Sequence, residues 1–281
     1  MNKIGKLYLV ATPIGNLDDI TYRAVKVLKE VDLIAAEDTR HSLKLLNHLE
    51  ISKPLISYHR HNEENKSELL IDKMLNGEDI ALITDAGTPA ISDPGEEVVR
   101  QAIKNGIEIV PIPGACALIN ALICSGMNTK EFSFFGFLPL NKKLRKEKFE
   151  KIKKENKTVI IYEAPHKINQ TLKDILEELG DVNITLAREL TKIHEQFIRG
   201  KVSEIIEEYK ELKGELIIII EENEYKNDTE NITKILNSMS IEEHYEYYKN
   251  QNMEKKEIIK KIAKDRNVEK NEIYMKLIDK K

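Results

Sequence analysis

Three turns rich in proline and glycine follow apolar runs in this chain. They are Thr12-Pro13-Ile14-Gly15-Asn16-Leu17, Asp85-Ala86-Gly87-Thr88-Pro89-Ala90-Ile91-Ser92-Asp93-Pro94-Gly95 and Pro111-Ile112-Pro113-Gly114-Ala115-Cys116-Ala117. Proline stiffens such a turn, while glycine or alanine lets a ligand approach main-chain amides. A single turn of this kind is commonly no more than a tight connection. Three of them at the carboxyl ends of strands point to a shared ligand cleft, because open α/β sheets bind ligands along that edge. None reads GxGxxG, GxxxxGKS or GxxxxGKT, which argues against a dinucleotide or a P-loop nucleotide.

Charged residues cluster at other strand ends. Glu37-Asp38-Thr39-Arg40, Ser57-Tyr58-His59-Arg60-His61-Asn62-Glu63 and Arg188-Glu189-Leu190-Thr191-Lys192 each begin where an apolar run stops. Loops positioned by a rigid scaffold carry function more often than helix interiors do. Glu37, Arg40, His61, Glu189 and Lys192 are therefore the candidates for chemistry, with capping or ion pairing as the competing role of each. The carboxylates could orient a hydroxyl or take its proton. The cations could hold a phosphate or stabilise developing negative charge. His59 and His61 lack a third ligand at suitable spacing, and Cys116 and Cys124 form no CxxC pair, so no metal is expected.

These residues need strands to carry them. Lys6–Thr12, Asp32–Ala36, Leu55–Ser57, Ile80–Thr84 and Ile107–Pro111 read as strands, with amphipathic stretches between them such as Ile20, Ala24, Val27, Leu28 and Val31. Such β–α alternation predicts a mostly parallel sheet covered by helices. One helix is expected directly after Asp93, with Asp93 as N-cap, Pro94 in the first turn and Gly106 at the end. Near residue 126 the pattern resets. Strands follow at Phe132–Phe137, Thr158–Tyr162, Ile184–Arg188 and Glu215–Ile220, and a lysine-rich helix follows the first of them. Residues 222–231 have the composition of a linker. Helices are expected at 232–236, 241–248, 255–263 and 269–278. The predicted organisation is an α/β domain over 1–126, a second over 127–222 and a small helical domain over 232–281.

Hydrophobic residues make up 41% of the 281 residues and charged residues 33%, as in a soluble globular protein. No apolar run approaches the roughly 18 residues of a membrane span. Leu7–Ala11 is too short for the apolar core of a signal peptide and is followed at once by turn residues, so a cytoplasmic protein is expected. The net charge of −4 is unevenly spread, because residues 232–281 hold twelve Lys and Arg against nine Asp and Glu. A second basic run holds Lys142, Lys143, Arg145, Lys146 and Lys148. It is either a solvated helix face or a phosphate-contacting one.

The phrases LYLVATPIGNLDDIT, AAEDTRHS, SYHRHNE, ITDAGTPAISDPG, PIPGACA, GFLP, YEAPHKI and ARELTK, in this order over residues 5–221, resemble the ribosomal RNA small subunit methyltransferase I family of the tetrapyrrole-methylase superfamily. The resemblance implies two α/β domains with S-adenosylmethionine in the cleft between them, and a homodimer. It implies 2′-O-methylation of a cytidine in the decoding region of small-subunit rRNA, free or within the assembled subunit. Where the superfamily usually has Gly-Asp-Pro, this chain has Gly87-Thr88-Pro89, preceded by Asp85. By the same resemblance Pro13, Asp85, Gly87, Thr88, Ile91 and the Gly114-Ala115-Cys116 turn should lie along the cofactor. Tyr162, Ala187, Arg188, Gly214 and Glu215 should close over it from the second half. A tetrapyrrole-precursor methyltransferase and a non-catalytic ribosome-assembly factor of the same fold are the rival readings.

Overall fold

The computed structural model describes residues 3–222, 235–250 and 253–278. The chain divides into two compact units, 1–222 and 223–281. The first unit holds two five-stranded sheets. One contains β1 (Leu7–Val10), β2 (Leu33–Ala36), β3 (Leu55–Ser57), β4 (Ile80–Ile83) and β5 (Ile109–Ile112) in the order β3-β2-β4-β1-β5. Every pairing in it is parallel. Strands buried on both faces need apolar residues at every position, and all four residues of β2 and of β4 are buried.

Helices α1 (Tyr22–Glu30) and α2 (Thr39–His48) belong with one face of this sheet, whose core includes Ala24, Leu28, Ile34, Leu46 and Ile83. Helices α3 (Glu63–Leu75) and α4 (Glu96–Lys104) supply Leu70, Met74, Val98 and Ala102 to the core of the other face. The chain leaves β1 towards β2 but leaves β4 towards β5, on the opposite side. The crevice between the ends of β1 and β4 is therefore the topological switch point, where such sheets bind ligands.

Helix α4 corrects one expectation. It starts at Glu96 with Gly95 as N-cap, not at Asp93. Its free amides are satisfied from elsewhere: Gly95 N donates to Glu63 Oε1 at 2.8 Å, and Val98 N donates to the Tyr58 hydroxyl at 3.2 Å. Tyr58 is fully buried, and its hydroxyl also lies 3.0 Å from Ser67 Oγ. Burial pushes its pKa up to about 12.

Helix α5 (Ala117–Ile123) leads to the second sheet. That sheet contains β6 (Phe132–Phe137), β7 (Thr158–Glu163), β8 (Asn183–Arg188), β9 (Gln196–Lys201) and β10 (Leu216–Ile220), in the order β6-β7-β10-β8-β9. Only β6 and β7 are parallel. β10 runs antiparallel to both its neighbours and β9 antiparallel to β8, so the parallel reading holds for the first sheet alone. β9 was not expected: Gln196, Arg199, Gly200 and Lys201 leave little apolar signal in an edge strand. The central β10 alternates. Leu216, Ile218 and Ile220 join the core formed with α6 (Lys142–Ile152), α7 (Ile168–Leu179) and α8 (Val202–Glu208). Ile217 and Ile219 face Ile14, Leu118 and Leu122 of the first half. One strand thus ties both halves of the unit together.

The second unit holds α9 (Ile241–Lys249), α10 (Lys255–Asp265) and α11 (Lys270–Ile278), preceded by a helical turn at 235–238. Leu236, Tyr248, Ile258, Ile262 and Ile273 form its core. Arg266 Nη2 donates to the carbonyls of Leu236, Met239 and Ser240 at 2.6–3.1 Å, satisfying the end of that turn. Most of the expected linker and of the helix at 232–236 lies outside the described residues. Among the described residues no helix is long and apolar enough to cross a membrane.

Tyr58→Phe keeps the ring but leaves the Val98 amide and the Ser67 hydroxyl without their shared partner in a dry core. Urea unfolding of this variant should show stability lowered by about 1–3 kcal/mol with an unchanged m-value. An unchanged midpoint would mean that Tyr58 does not cap α4.

Candidate active site

The site begins at the switch point. Thr12 N donates to Gly87 O at 2.9 Å and Gly87 N donates to Thr12 O at 3.1 Å, joining the turns after β1 and β4. Thr12 Oγ1 adds a bond to the Thr84 carbonyl at 3.1 Å. Gly87 has φ +85°, and a Cβ there would lie 3.2 Å from Ile14 Cγ2. The third turn is drawn in by Thr88 Oγ1, which donates to Ala115 O at 3.1 Å. It lies so close to β1 that a Cβ on Gly114 would meet the Ala11 Cβ at 2.8 Å. The three turns thus form one wall. Ala90 and Ser92 sit at φ 65° and 66°, conformations costly for side-chain-bearing residues and concentrated at functional sites.

The opposite wall comes from the second sheet. Tyr162, at the end of β7, accepts a hydrogen bond from Leu118 N at 3.1 Å and sits edge-on to Phe134 and Phe137. Burial, and next Cys116, push its hydroxyl pKa far up. Glu163 is buried, accepting from Thr171 Oγ1 at 2.5 Å and Ala164 N at 2.8 Å. Between the walls lies a cavity of about 350 Å³, within the range of about 300–1,000 Å³ typical of small-molecule sites.

Its lining is one-signed. Ile14, Ile91, Leu190 and Ile217 supply apolar surface, and among the described residues the charged lining consists of Asp93, Glu163 and Glu215, with no Lys or Arg. Such a lining suits a ligand with an apolar ring system and positive charge. S-adenosylmethionine, with its adenine, sulfonium and ammonium groups, has that composition. The residues present therefore fit it, with Ile14, Ile91, Cys116 and Ile217 suited to the ring and the Glu163 and Glu215 carboxylates to the cationic end.

Of the residues expected along the cofactor, Gly87, Thr88, Ile91, Cys116, Tyr162, Ala187 and Glu215 line the cavity. Pro13, Asp85, Gly114, Ala115 and Gly214 lie within two residues of lining positions and do not line it themselves. Arg188 follows Ala187 in β8 and so points to the other face, where its Nη1 donates to Gln196 Oε1 at 3.3 Å and its Nε is buried without a partner.

The candidates for chemistry are spread more widely. Lys192 Nζ bridges Glu189 Oε1 and Glu215 Oε2, both at 3.2 Å, at the cavity rim. Burial pushes Glu189 up, but the Glu215 amide and Lys192 outweigh it and hold its carboxyl below the usual range. The loop is clasped to the first turn, since Asn16 N donates to Thr191 Oγ1 at 3.0 Å. Glu37 accepts from Thr84 Oγ1 at 2.8 Å, just behind the cavity wall. Arg40 is spent on Asp38, at 2.7 Å, and its side chain is otherwise exposed. Its hydrogen bonds hold Asp38 well below the usual carboxylate range. His61 lines a separate polar hollow with Arg60, Glu64 and Glu97.

Sequence reasoning missed Ser92, Asp93, Phe137 and Glu163 as cavity residues. Asp93 is the most consequential. Burial and the nearby Glu37, with a smaller effect of Asp85, push its pKa up to about 6, against the opposing pull of the Thr84 hydroxyl and Arg60. The one signal for it was the Asp-Pro-Gly string, which pointed to a helix start instead.

The lysine-rich helix is corrected in part. Arg145 Nε pairs with Asp174 at 2.6 Å and its Nη2 donates to Thr171 Oγ1 at 2.7 Å, so this arginine braces Glu163 from inside. Lys153 is paired with Glu150 and Glu178. Lys142, Lys143 and Lys146 are exposed.

Residues 6–206 match the family described as Tetrapyrrole (Corrin/Porphyrin) Methylases. The chain is 49% identical over 272 residues to ribosomal RNA small subunit methyltransferase I of Halalkalibacterium halodurans, covering 96% of this chain and 93% of that protein. It is 47% identical over 275 residues to the protein of the same name from Bacillus subtilis, at 96% and 93% coverage. Among solved structures, diphthine synthase superposes with a TM-score of 0.62 at 12% identity, over 77% of this chain and 90% of that one. Uroporphyrin III C-methyltransferase from Thermus thermophilus does so with a TM-score of 0.56 at 17% identity, over 77% and 97%. At such identities these two show the fold.

Ala86→Trp and Ala117→Trp each place an indole in the cavity from its lining. Calorimetric titration should show S-adenosylmethionine affinity reduced by more than about tenfold, a loss of at least about 1.4 kcal/mol, while circular dichroism and melting stay near wild type. Unchanged affinity in both variants would move the cofactor elsewhere.

Proposed function

Since the chain belongs to the ribosomal RNA small subunit methyltransferase I family of tetrapyrrole methylases, we propose that it methylates the 2′-hydroxyl of a cytidine in the decoding region of small-subunit rRNA, as a cytoplasmic homodimer acting on the assembled or nearly assembled subunit. The observation that carries this reading is the likeness to the two bacterial rRNA methyltransferases, which runs through the cavity residues and on into the helical tail. Bound S-adenosylmethionine supplies an electrophilic methyl group on a positively charged sulfur. The chain itself must hold the acceptor in line with that group. Alignment of this kind can supply about 7–11 kcal/mol of the barrier in favourable cases.

The rim residues suit that task. The Lys192 ammonium, held between Glu189 and the cavity residue Glu215, can meet a ribose or its phosphate. Glu189 is fixed by the Glu215 amide at 2.8 Å, so the pair forms a preset edge and not a mobile one. Arg40 and His61 lie farther out and serve as contacts for the flanking backbone, while Glu37 acts through Thr84. The exposed Lys142, Lys143 and Lys146 open α6, just past Phe137 of the cavity wall, and extend a phosphate-contacting surface.

Mapping of ribose methylation in small-subunit rRNA from cells with and without the gene tests the reaction directly. A single cytidine should lose its 2′-O-methyl group in the deletion strain. Unchanged methylation there would overturn the reading.

Replacing Lys142, Lys143 and Lys146 by alanine should weaken binding to the subunit and reduce the slope of log affinity against log salt by about one to two. Cofactor affinity should hold. Arg145→Ala should instead lower stability, leaving the salt slope unchanged. An unaltered slope in the triple variant would make these lysines a solvated face only.

A further inference from the structure

Asp93 has been released from the role its sequence context suggests. The residue lies three positions before α4 and leaves that helix to Glu63 and Tyr58. It lines the cavity instead, on a segment directly after the positive-φ residues Ala90 and Ser92 and before Gly95, also at positive φ. Arg60 braces that segment by donating to the Ser92 carbonyl. Strain of this kind persists only where the surroundings over-determine it. Here it leads Asp93 into the lining of the ligand space.

From this geometry we propose that Asp93 is the general base that takes the proton from the acceptor hydroxyl. The inference rests on the ribose-methylation reading above. The hydroxyl proton passes to an Asp93 carboxylate oxygen as the hydroxyl oxygen takes the methyl carbon. The electron pair of the broken carbon–sulfur bond stays on sulfur, and the proton then leaves Asp93 to solvent. Charge balances, since one positive charge is lost at sulfur and one proton is released.

The surroundings suit a base near neutral pH. Glu37 and Asp85 stand on the first-sheet side and raise the affinity of Asp93 for a proton. Thr84 and Arg60 oppose them. Tyr162 faces it from the second sheet and stays protonated. A catalytic group is most effective when its pKa lies near the working pH. Asp93, at about 6, is ionised there yet more basic than an ordinary carboxylate. Glu189, at the rim, is held below the usual carboxylate range by the Glu215 amide and Lys192.

The sign of the shift makes a second readout. Asp93 binds its proton more tightly in the folded chain than in the unfolded one, where its pKa is 3.8. Stability therefore falls as pH rises from about 4 to about 6 and stays lower above that. Asp93→Asn removes the penalty, so a variant that loses catalysis should melt higher at pH 8, by about 4–8 °C, and the difference should close below pH 4. A carboxylate whose ionised form helped to hold the fold would show the opposite.

The experiment is single-turnover methylation of the small subunit by wild type and Asp93→Asn, with calorimetry of S-adenosylmethionine and melting curves at pH 4 and pH 8. The wild-type rate should rise tenfold per pH unit and level off above about 6. The variant should lose about 10²–10⁴-fold, with cofactor affinity within about threefold and the melting gain just described. Near wild-type turnover by the variant, on a product methylated at ribose, would overturn the Asp93 proposal alone. Loss of cofactor affinity by more than tenfold would overturn it too, making Asp93 an anchor for the cationic ligand. A wild-type product methylated on a base would overturn the ribose reading and this proton transfer with it.

Discussion

The paired hydrogen bonds between Thr12 and Gly87 are the constraint on which the site depends. A parallel sheet leaves a gap at its switch point because the chain departs from β1 and β4 in opposite directions. Here the gap is closed at its base by two main-chain bonds and at its side by the Thr12 hydroxyl on the Thr84 carbonyl. Once Gly87 is held at positive φ, Thr88 is placed to reach Ala115, and the third turn must follow. The opposite wall then needs only to be set against this fixed one. β10 does so by presenting Ile217 and Ile219 to Ile14 and Leu118 while its alternate residues fill the second core. The cavity is what remains between two surfaces that are each over-determined.

Charge in this region is segregated. The lining carries carboxylates and no cation, whereas the nearby cations are engaged outside it: Lys192 with Glu189 and Glu215, Arg40 with Asp38, Arg60 with the Ser92 carbonyl. Glu163 and Glu215 attract a cationic ligand across a lining that holds no cation among the described residues, so part of the affinity for a sulfonium is prepared by the protein itself. Lys192 cannot swing into the pocket without abandoning two partners, which keeps a competing cation away from the ligand. Its position at the rim still leaves it available to a phosphate, the one group that could outbid a carboxylate for it.

Much of this was legible in the residues, and the gaps have physical causes. The strand positions and the three turns could be read, since apolar runs bounded by glycine and proline have few other solutions. The direction of the strands in the second sheet could not. Leu216–Ile220 is apolar throughout, and a run buried on both faces looks the same whichever way its neighbours point. β9 was invisible because its two apolar residues, Phe197 and Ile198, are adjacent and pack on opposite faces, which leaves no alternation to read. The lysine-rich helix misled through Arg145. A basic run reads as one surface, yet an arginine within it can turn inward when Asp174 and Thr171 wait on the next helix. Partners 26 and 29 residues away in sequence leave no local trace.

The same reasoning explains how Asp93 escaped notice. An aspartate before proline at a helix start is normally taken up in capping, because the first amides of a helix must be satisfied and a short acceptor is the nearest one. In this fold the buried Tyr58 hydroxyl and the Glu63 carboxylate reach those amides first, from the loop after β3. The substitution has a cost, since it places a phenol in the core. It also has a consequence that no local rule contains. With its helix already capped from a distance, the Asp-Pro segment is free to take the positive-φ path through Ala90 and Ser92 and turn its carboxylate to the cavity. The SYHRHNE and SDPG phrases are thus coupled physically. The first does the structural work of the second, and the second is left to face the ligand.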